Sequence, residues 1–171
     1  MDNKFIVKDS DINGKGVFAV SPIKNGDTIC VMGGKELSIP ELKIKYQCGE
    51  ERLSDPLQIS EKSYLDLDEP YIFFNHSCAP NATIIDKHKL VAIRAIEPDE
   101  EITYDYSFTE WSDEDFDDYE EWFMECKCGT SYCRKVIGEF PILPKSLKNK
   151  LLKEKMVQDF IIRKFKKCRD Q

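Results

Sequence analysis

No apolar run in this 171-residue chain approaches the roughly 18 residues that a membrane span needs. The opening stretch, MDNKFIVKDSDINGKGVF, also lacks the uninterrupted apolar segment of a signal peptide. The default expectation is a cytoplasmic chain with no membrane partner, with nuclear or host-cell targeting left open. Internal repeats and low-complexity linkers are missing as well. The first hundred residues show none of the regular strand and helix alternation that a doubly wound parallel sheet requires. Basic excess is absent too: 25 Lys and Arg face 32 Asp and Glu, a net charge of −7, which argues against a chain that grips nucleic acid as a whole.

What is present suits one globular domain, or one domain with an appendage, at 41% hydrophobic and 33% charged residues. FIVK, GVFAV and DTICVMGG read as short strands, the third ended by Gly33-Gly34, and INGKG between the first two is a turn. ELKIKY after Pro40 predicts a short helix. LSDPLQI and SYLDLD supply further extended pieces, and NATIIDK with KLVAIRAI predicts a hairpin turning near Lys87-His88. EITYDYSF predicts a final strand, on which Tyr104 and Tyr106 would share a face. The pattern changes after Pro144, where Leu147, Leu151, Val157, Ile161 and Phe165 fit helical spacing. One or two packed helices are expected there.

Charge is placed unevenly. Residues 110–125 hold nine acids and no base, whereas residues 141–171 hold ten bases and three acids. Each block reads as a solvated face or as an electrostatic surface. For the basic helices, lysines covering the outside of a packed helix are favoured over contact with nucleic acid.

Seven cysteines in a chain this long, odd in number and without an export signal, point to metal rather than to a disulfide framework. CKCGTSYC brings Cys126, Cys128 and Cys133 into eight residues, and a glycine turn lets such thiolates converge on one ion. A closed structural zinc site needs a fourth ligand. Cys78, in the polar turn NHSCAPN, is either that ligand or a small buried hydrophobe. Cys30, Cys48 and Cys168 stand alone and are expected in core or surface positions.

Taken in chain order, GKGVFAV, YIFFNHSCAPN, EITYDYSF and CKCGTSYC resemble the SET-domain protein lysine methyltransferases that carry a post-SET zinc segment. The resemblance covers residues 4 to about 138. It implies a mostly β fold: a SET β-clip of short sheets with a knot-like active site, a small zinc-bound segment and a C-terminal helical appendage. The implied division is a SET domain at 1–109, an acidic insertion at 110–125, a post-SET segment at 126–140 and a basic helical extension at 141–171.

The same resemblance implies S-adenosylmethionine as methyl donor and zinc as a structural ion held by Cys78, Cys126, Cys128 and Cys133. Gly14, Lys15 and Gly16 would form a cofactor loop, with Asn75 and His76 binding the cofactor and His76 acting through its backbone. Tyr106 matches the catalytic tyrosine. Tyr104 sits where tyrosine or phenylalanine sets the number of methyl groups, which implies mainly monomethylation, and Tyr64 resembles a residue of the lysine channel. Val136 and Ile137 would pack on the cofactor or on the helix that follows. One departure is Ile72, where the family commonly has arginine. With no cysteine-rich segment ahead of the SET motifs, the C-terminal helices are the expected source of added stability. The implied substrate is a lysine-containing basic protein, a histone tail or a ribosomal-type protein, drawn to the acidic block by charge. The alternative is a degenerate, zinc-stabilised module that only binds protein.

Overall fold

The computed structural model describes residues 4–50, 55–112 and 123–169. It is built from small antiparallel sheets. Strand β1 (Phe5–Asp9) pairs with β2 (Lys15–Ala19), Val7 lying opposite Val17. The tight connection uses Gly14 at φ +47°, a left-handed value that a glycine adopts without strain.

Strand β3 (Thr28–Val31) ends ahead of Gly33-Gly34, as the sequence suggested, and a further strand, β4 (Gly34–Ser38), begins there in a different sheet. Gly34 opens the next strand because a Cβ there would lie 2.1 Å from the Asp66 carbonyl oxygen of the neighbouring strand. Helix α1 (Ile39–Gln47) follows, with Pro40 in its first turn. The Glu41 carboxylate accepts hydrogen bonds from the Ser38 main-chain N–H and hydroxyl at its start.

Strands β5 (Leu57–Gln58) and β6 (Ser63–Leu67) complete a sheet in the order β4-β6-β5. The expected hairpin forms from β7 (Ala82–Ile85) and β8 (Lys89–Ala92), which turn through Asp86 and Lys87 at positive φ and pair with β3. Alternation buries Ala82 and Ile84 from one strand with Leu90 and Ala92 from the other, against Val17, Ile96 and Ile102.

EITYDYSF is not a strand. Glu101 and Tyr104 make single bridges, to Phe18 and His76, and Tyr106–Phe108 is a 3-10 turn. The Asp105 side chain accepts the Ser107 N–H and caps that turn, which diverts the chain from extended pairing.

The cysteine segment contributes β9 (Met124–Glu125) and β10 (Val136–Ile137), paired with each other. Two C-terminal helices, α2 (Lys145–Glu154) and α3 (Asp159–Arg169), meet the expectation from periodicity. Leu151, Val157, Phe160 and Ile161 bury with Phe108, Phe140 and Leu143, and Leu147 and Phe165 pack at the edge.

Those helices are fastened to the sheets by polar contacts as well. Buried Gln58 accepts from the Trp111 N–H at 2.8 Å through its side chain, and its carbonyl accepts from Gln158 Nε2. Lys164 donates to the carbonyls of Trp111 and Ser112. Among the described residues no helix is long and apolar enough to cross a membrane. Most of the expected acidic insertion, residues 113–122, lies outside the described residues.

Candidate active site and metal centre

Two segments distant in sequence run side by side at the centre of the molecule. Tyr104 N donates to the Asn75 carbonyl at 3.3 Å and Ser77 N donates to the Tyr104 carbonyl at 3.1 Å, a parallel pairing. Asn81 extends it with a side chain in place of a strand: its Oδ1 accepts from Thr103 N at 2.8 Å and its Nδ2 donates to the Glu101 carbonyl at 2.8 Å. The last residue of NHSCAPN therefore holds the segment that carries both tyrosines. The sequence reading missed it.

Tyr106 is fixed at both ends. Its hydroxyl donates to the Phe74 carbonyl at 2.9 Å and its N–H donates to His76 Nδ1 at 3.2 Å. That assigns the histidine proton to Nε2, which faces Cys78 Sγ at 3.3 Å. Burial pulls His76 down to about 4, with Asp105 opposing and Arg134 adding to the shift, so the ring is neutral at pH 7. Its place is that of a hydrogen-bonding strut, in keeping with the expectation that it is not a general base.

The rings of Tyr104 and Tyr106 lie 4.9 Å apart, although the two residues share no strand. Burial raises both phenols above their usual range. Tyr106, Glu110 and Asp55 add to the shift at Tyr104, and Asp55 and Glu101 add to it at Tyr106. Both hydroxyls therefore stay protonated and act as neutral hydrogen-bonding groups rather than as phenolate bases. Tyr64, by contrast, packs with Leu37, Leu42, Ile39 and Tyr46 under α1, in a cluster apart from the tyrosine pair.

A cavity of about 340 Å³ opens beside Tyr106. Asn75, His76 and Tyr106 line it from the crossing, Ile12 and Asn13 from the β1–β2 turn, and Met124, Glu125, Lys127 and Ile137 from the cysteine segment. Of the residues expected at a cofactor site, Asn75 and His76 line this space, whereas Gly14, Lys15 and Gly16 are not among the residues that line it. Ile137 reaches it and Val136 is half exposed.

The glycine loop is held by a carboxylate that motif reading passed over. Glu101 accepts from Ser10 Oγ at 2.9 Å and from Asn75 Nδ2 at 2.8 Å, and Asn75 Nδ2 also donates to the Lys15 carbonyl at 2.9 Å. Gly16 is required by this packing, because a Cβ would fall 2.2 Å from Glu101 Oε1 and 2.9 Å from Ser10 Cβ. The Lys15 ammonium lies 5.2 Å over the Phe73 ring instead of entering the cavity. Ile12 and Asn13 immediately precede GKG, and Lys127 separates two of the cysteines, so adjacency to a motif was the signal that could have found them.

Cys78, Cys126, Cys128 and Cys133 converge, their four sulfur atoms all within 4.8 Å of one another. A tetrahedral thiolate site with Zn–S near 2.3 Å has sulfurs about 3.8 Å apart, and Cys78 and Cys126 stand at 3.6 Å. The donor set therefore fits a closed tetrahedral ion, and the thiol in the polar turn has its partners. Main-chain N–H groups of Arg134 and Lys135 donate to Cys78 Sγ and Cys133 Sγ at 3.3 and 3.4 Å, which favours thiolate charge. The three other cysteines stand apart: Cys48 and Cys168 are exposed, and burial pushes the partly covered Cys30 up to about 12.

Comparison with known proteins agrees with this arrangement. The chain is 41% identical over 70 residues to an H3 lysine-4 specific histone-lysine N-methyltransferase of Emericella nidulans, a match covering 36% of this chain and 5% of that protein. It is 27% identical over 144 residues to the histone-lysine N-methyltransferase trithorax of Drosophila virilis, covering 75% of this chain and 3% of that protein. The chain thus spans only a small part of the length of these relatives. In fold it is similar to the crystal structure of the methyltransferase domain of human histone-lysine N-methyltransferase SETMAR. The TM-score is 0.59 at 21% identity, with 79% of this chain and 58% of that one covered. The family described as SET domain matches residues 14–107, more than half of the 171 residues and the whole of the crossing between the asparagine-histidine turn and the tyrosine segment, so this chain belongs to the SET-domain family.

Proposed function

We propose that the protein is a protein-lysine N-methyltransferase that uses S-adenosylmethionine and holds a structural zinc ion. The observation that carries the reading is the meeting, at Tyr106, of a cavity, the packed Tyr104–Tyr106 pair and a four-cysteine cluster. S-adenosylmethionine bound in the cavity would supply an electrophilic methyl group carried on a sulfonium sulfur. Asn75 and His76 would hold it, with Ile12, Met124 and Ile137 giving apolar contact.

Methyl transfer to lysine is an in-line displacement. The substrate ammonium would first lose a proton to solvent, and the bond from sulfur to methyl would then break as the bond from nitrogen to methyl forms, leaving a methylated ammonium. The protein's task is alignment rather than covalent catalysis. The Tyr106 hydroxyl, anchored on the Phe74 carbonyl, presents a fixed polar edge against which the neutral amine is oriented. A lysine entering this low-dielectric site is favoured in its neutral form, which alone has the lone pair.

In this reading Tyr104 limits the space beside the amine, so monomethylation dominates, and Tyr64 contributes to the channel. The substrate is a basic protein of histone or ribosomal type, and the acidic residues 110–125 speed its approach in a salt-dependent way. The resemblance to histone enzymes favours action in a nucleus over the cytoplasmic default. The division into 1–109, 110–125, 126–140 and 141–171 is part of the same proposal, with α2 and α3 bracing the catalytic unit.

The test is transfer from labelled S-adenosylmethionine to a mixture of histones and basic ribosomal proteins by zinc-loaded protein. Tyr106→Phe removes the hydroxyl that meets the Phe74 carbonyl and should lower the rate about a hundredfold while the fold persists. Equal rates for the two proteins would remove Tyr106 from the mechanism. Cofactor binding without transfer to any of these substrates would point to a substrate outside the mixture, and no cofactor binding either would favour the binding-module reading.

A further inference from the structure

We propose that Arg134 and Asp105 form a latch through which closure of the cysteine site positions Tyr106. The inference rests on the zinc and methyltransferase readings above. Arg134 directly follows Cys133, and its side chain turns back into the active site. Nη1 lies 2.6 Å from Asp105 Oδ2 and Nη2 lies 2.7 Å from Oδ1, a two-pronged ion pair. Nη2 also donates to Ser107 Oγ at 3.1 Å.

Asp105 sits between the two tyrosines and is fully buried. Its carboxylate accepts the Ser107 N–H at 3.1 Å, capping the turn that begins at Tyr106, and lies 3.5 Å from His76 Nδ1. Arg134 meanwhile donates its main-chain N–H to Cys78 Sγ at 3.3 Å. One residue thus touches the metal site through its backbone and the tyrosine turn through its side chain.

The pair is demanding in both directions. A buried carboxylate without a partner is strongly unfavourable, so the tyrosine turn in this form requires the guanidinium. Four thiolates on a divalent ion would leave a net charge of about −2, and Arg134, whose main-chain N–H meets Cys78 Sγ at 3.3 Å, brings a positive residue to that site. Closing the metal site therefore delivers Arg134 to Asp105, and an ordered Asp105 favours the closed metal site. Coupling of this kind is reciprocal. Lysine would keep the charge and lose the fork that fits both carboxylate oxygens.

Both residues are positioning residues, since neither is placed against substrate. A clip that merely pinned the cysteine segment would be overcome by saturating zinc and cofactor. The latch would not be, because the turn carrying Tyr106 would remain loose. Asp105 provides the second distinction: it makes no described hydrogen bond to a cysteine, yet the latch requires it to govern metal release.

The experiment compares the full chain, zinc-loaded, as wild type, Arg134→Lys, Arg134→Gln and Asp105→Asn. Zinc transfer to a chromogenic chelator and kcat at saturating cofactor and histone peptide are followed. Zinc release should accelerate roughly tenfold or more in Arg134→Gln and Asp105→Asn. The kcat of Arg134→Gln should fall about a hundredfold at full zinc occupancy, with part of the loss recovered in Arg134→Lys. Zinc release unchanged in folded Asp105→Asn, or a kcat loss abolished by excess zinc and cofactor, would overturn the latch. Should Asp105→Asn fail to fold, Arg134→Lys decides alone, since wild-type zinc release and kcat in that variant would equally refute it. Wild type that retains no zinc, or that is loaded and transfers no methyl group, would instead refute the readings beneath it.

Discussion

The β-sheets and the cysteine segment hold themselves together by different means. In the sheets, Val17, Ile84, Leu90, Ile96 and Ile102 are completely buried in one continuous apolar cluster. In the segment the buried residues are Cys126, Cys128 and Ile137, and its sheet is two residues wide on each strand. Apolar burial at about 25 cal/mol per Å² can order the first region but offers little to the second, where bonds to the proposed zinc ion would supply the folding energy. In the proposed zinc-bound form, a cavity wall made from both regions would have one side fixed by packing and one side fixed by an ion.

Metal removal is the largest break in that comparison. Stripping zinc with a chelator should unfold residues 124–137, the loss being on the order of 10 kcal/mol locally, and abolish cofactor binding while the sheets persist. Hydrogen exchange would show it directly. Amides of β9 and β10 should lose protection while those of β7 and β8 keep it, and loss of protection in both would mean that the sheets also depend on the ion.

Ile84→Ala tests the opposite side. Deleting a fully buried side chain from the sheet core should cost about 2–5 kcal/mol and lower the thermal midpoint of the whole chain. Zinc stoichiometry measured below that midpoint should remain at the wild-type value. A drop in bound zinc at temperatures where the sheets are intact would show that the two regions do not separate.

Gly16→Ala reaches the seam between them. The added methyl displaces the Glu101 carboxylate from Ser10 and Asn75, and each lost charge-assisted hydrogen bond is worth about 1.5–3 kcal/mol before relaxation. The methyl can be accommodated by rotation of a flexible side chain, so the expected net effect is about 1–2 kcal/mol, read as roughly tenfold weaker cofactor binding. Calorimetric titration giving wild-type affinity would show that Glu101 does not tension the cavity wall.

The parts that could be read from the sequence are those whose cause is local. The β7–β8 hairpin follows from two apolar runs around a polar turn, α2 and α3 from apolar spacing, and the convergence of Cys126, Cys128 and Cys133 from three cysteines around one glycine. The misread parts have remote causes. Gly33-Gly34 does close β3, but the strand that opens at Gly34 was not foreseen, because its reason, the Asp66 carbonyl, is 32 residues away in sequence. TYDYSF looked like a strand because tyrosines alternate, yet its partner is the short stretch at Asn75–Ser77. Asn81 takes the place of a ladder there, and Asp105 caps a 3-10 turn instead. Glu101 and Arg134 carry no local pattern at all. Each acquires its role from contacts across 26 to 91 residues.

The smallest change sharpens the comparison most finely, because it alters one atom on the packed side and leaves the ion alone. Tyr104→Phe keeps the ring that meets Tyr106 at 4.9 Å, so stability should move by less than about 1.5 kcal/mol, the worth of one ordinary hydrogen bond, and zinc content not at all. The lost hydroxyl leaves space beside the position proposed for the amine. A methylated amine needs that space to rotate and present its lone pair again. The overall rate should therefore stay within a few-fold of wild type while di- and trimethylated peptide increases. Mass spectrometry of the product reads the distribution directly. Identical distributions would mean that the dimensions of the channel are set elsewhere, with the residues around Glu110 and Asp55 next in line because both act electrostatically on Tyr104.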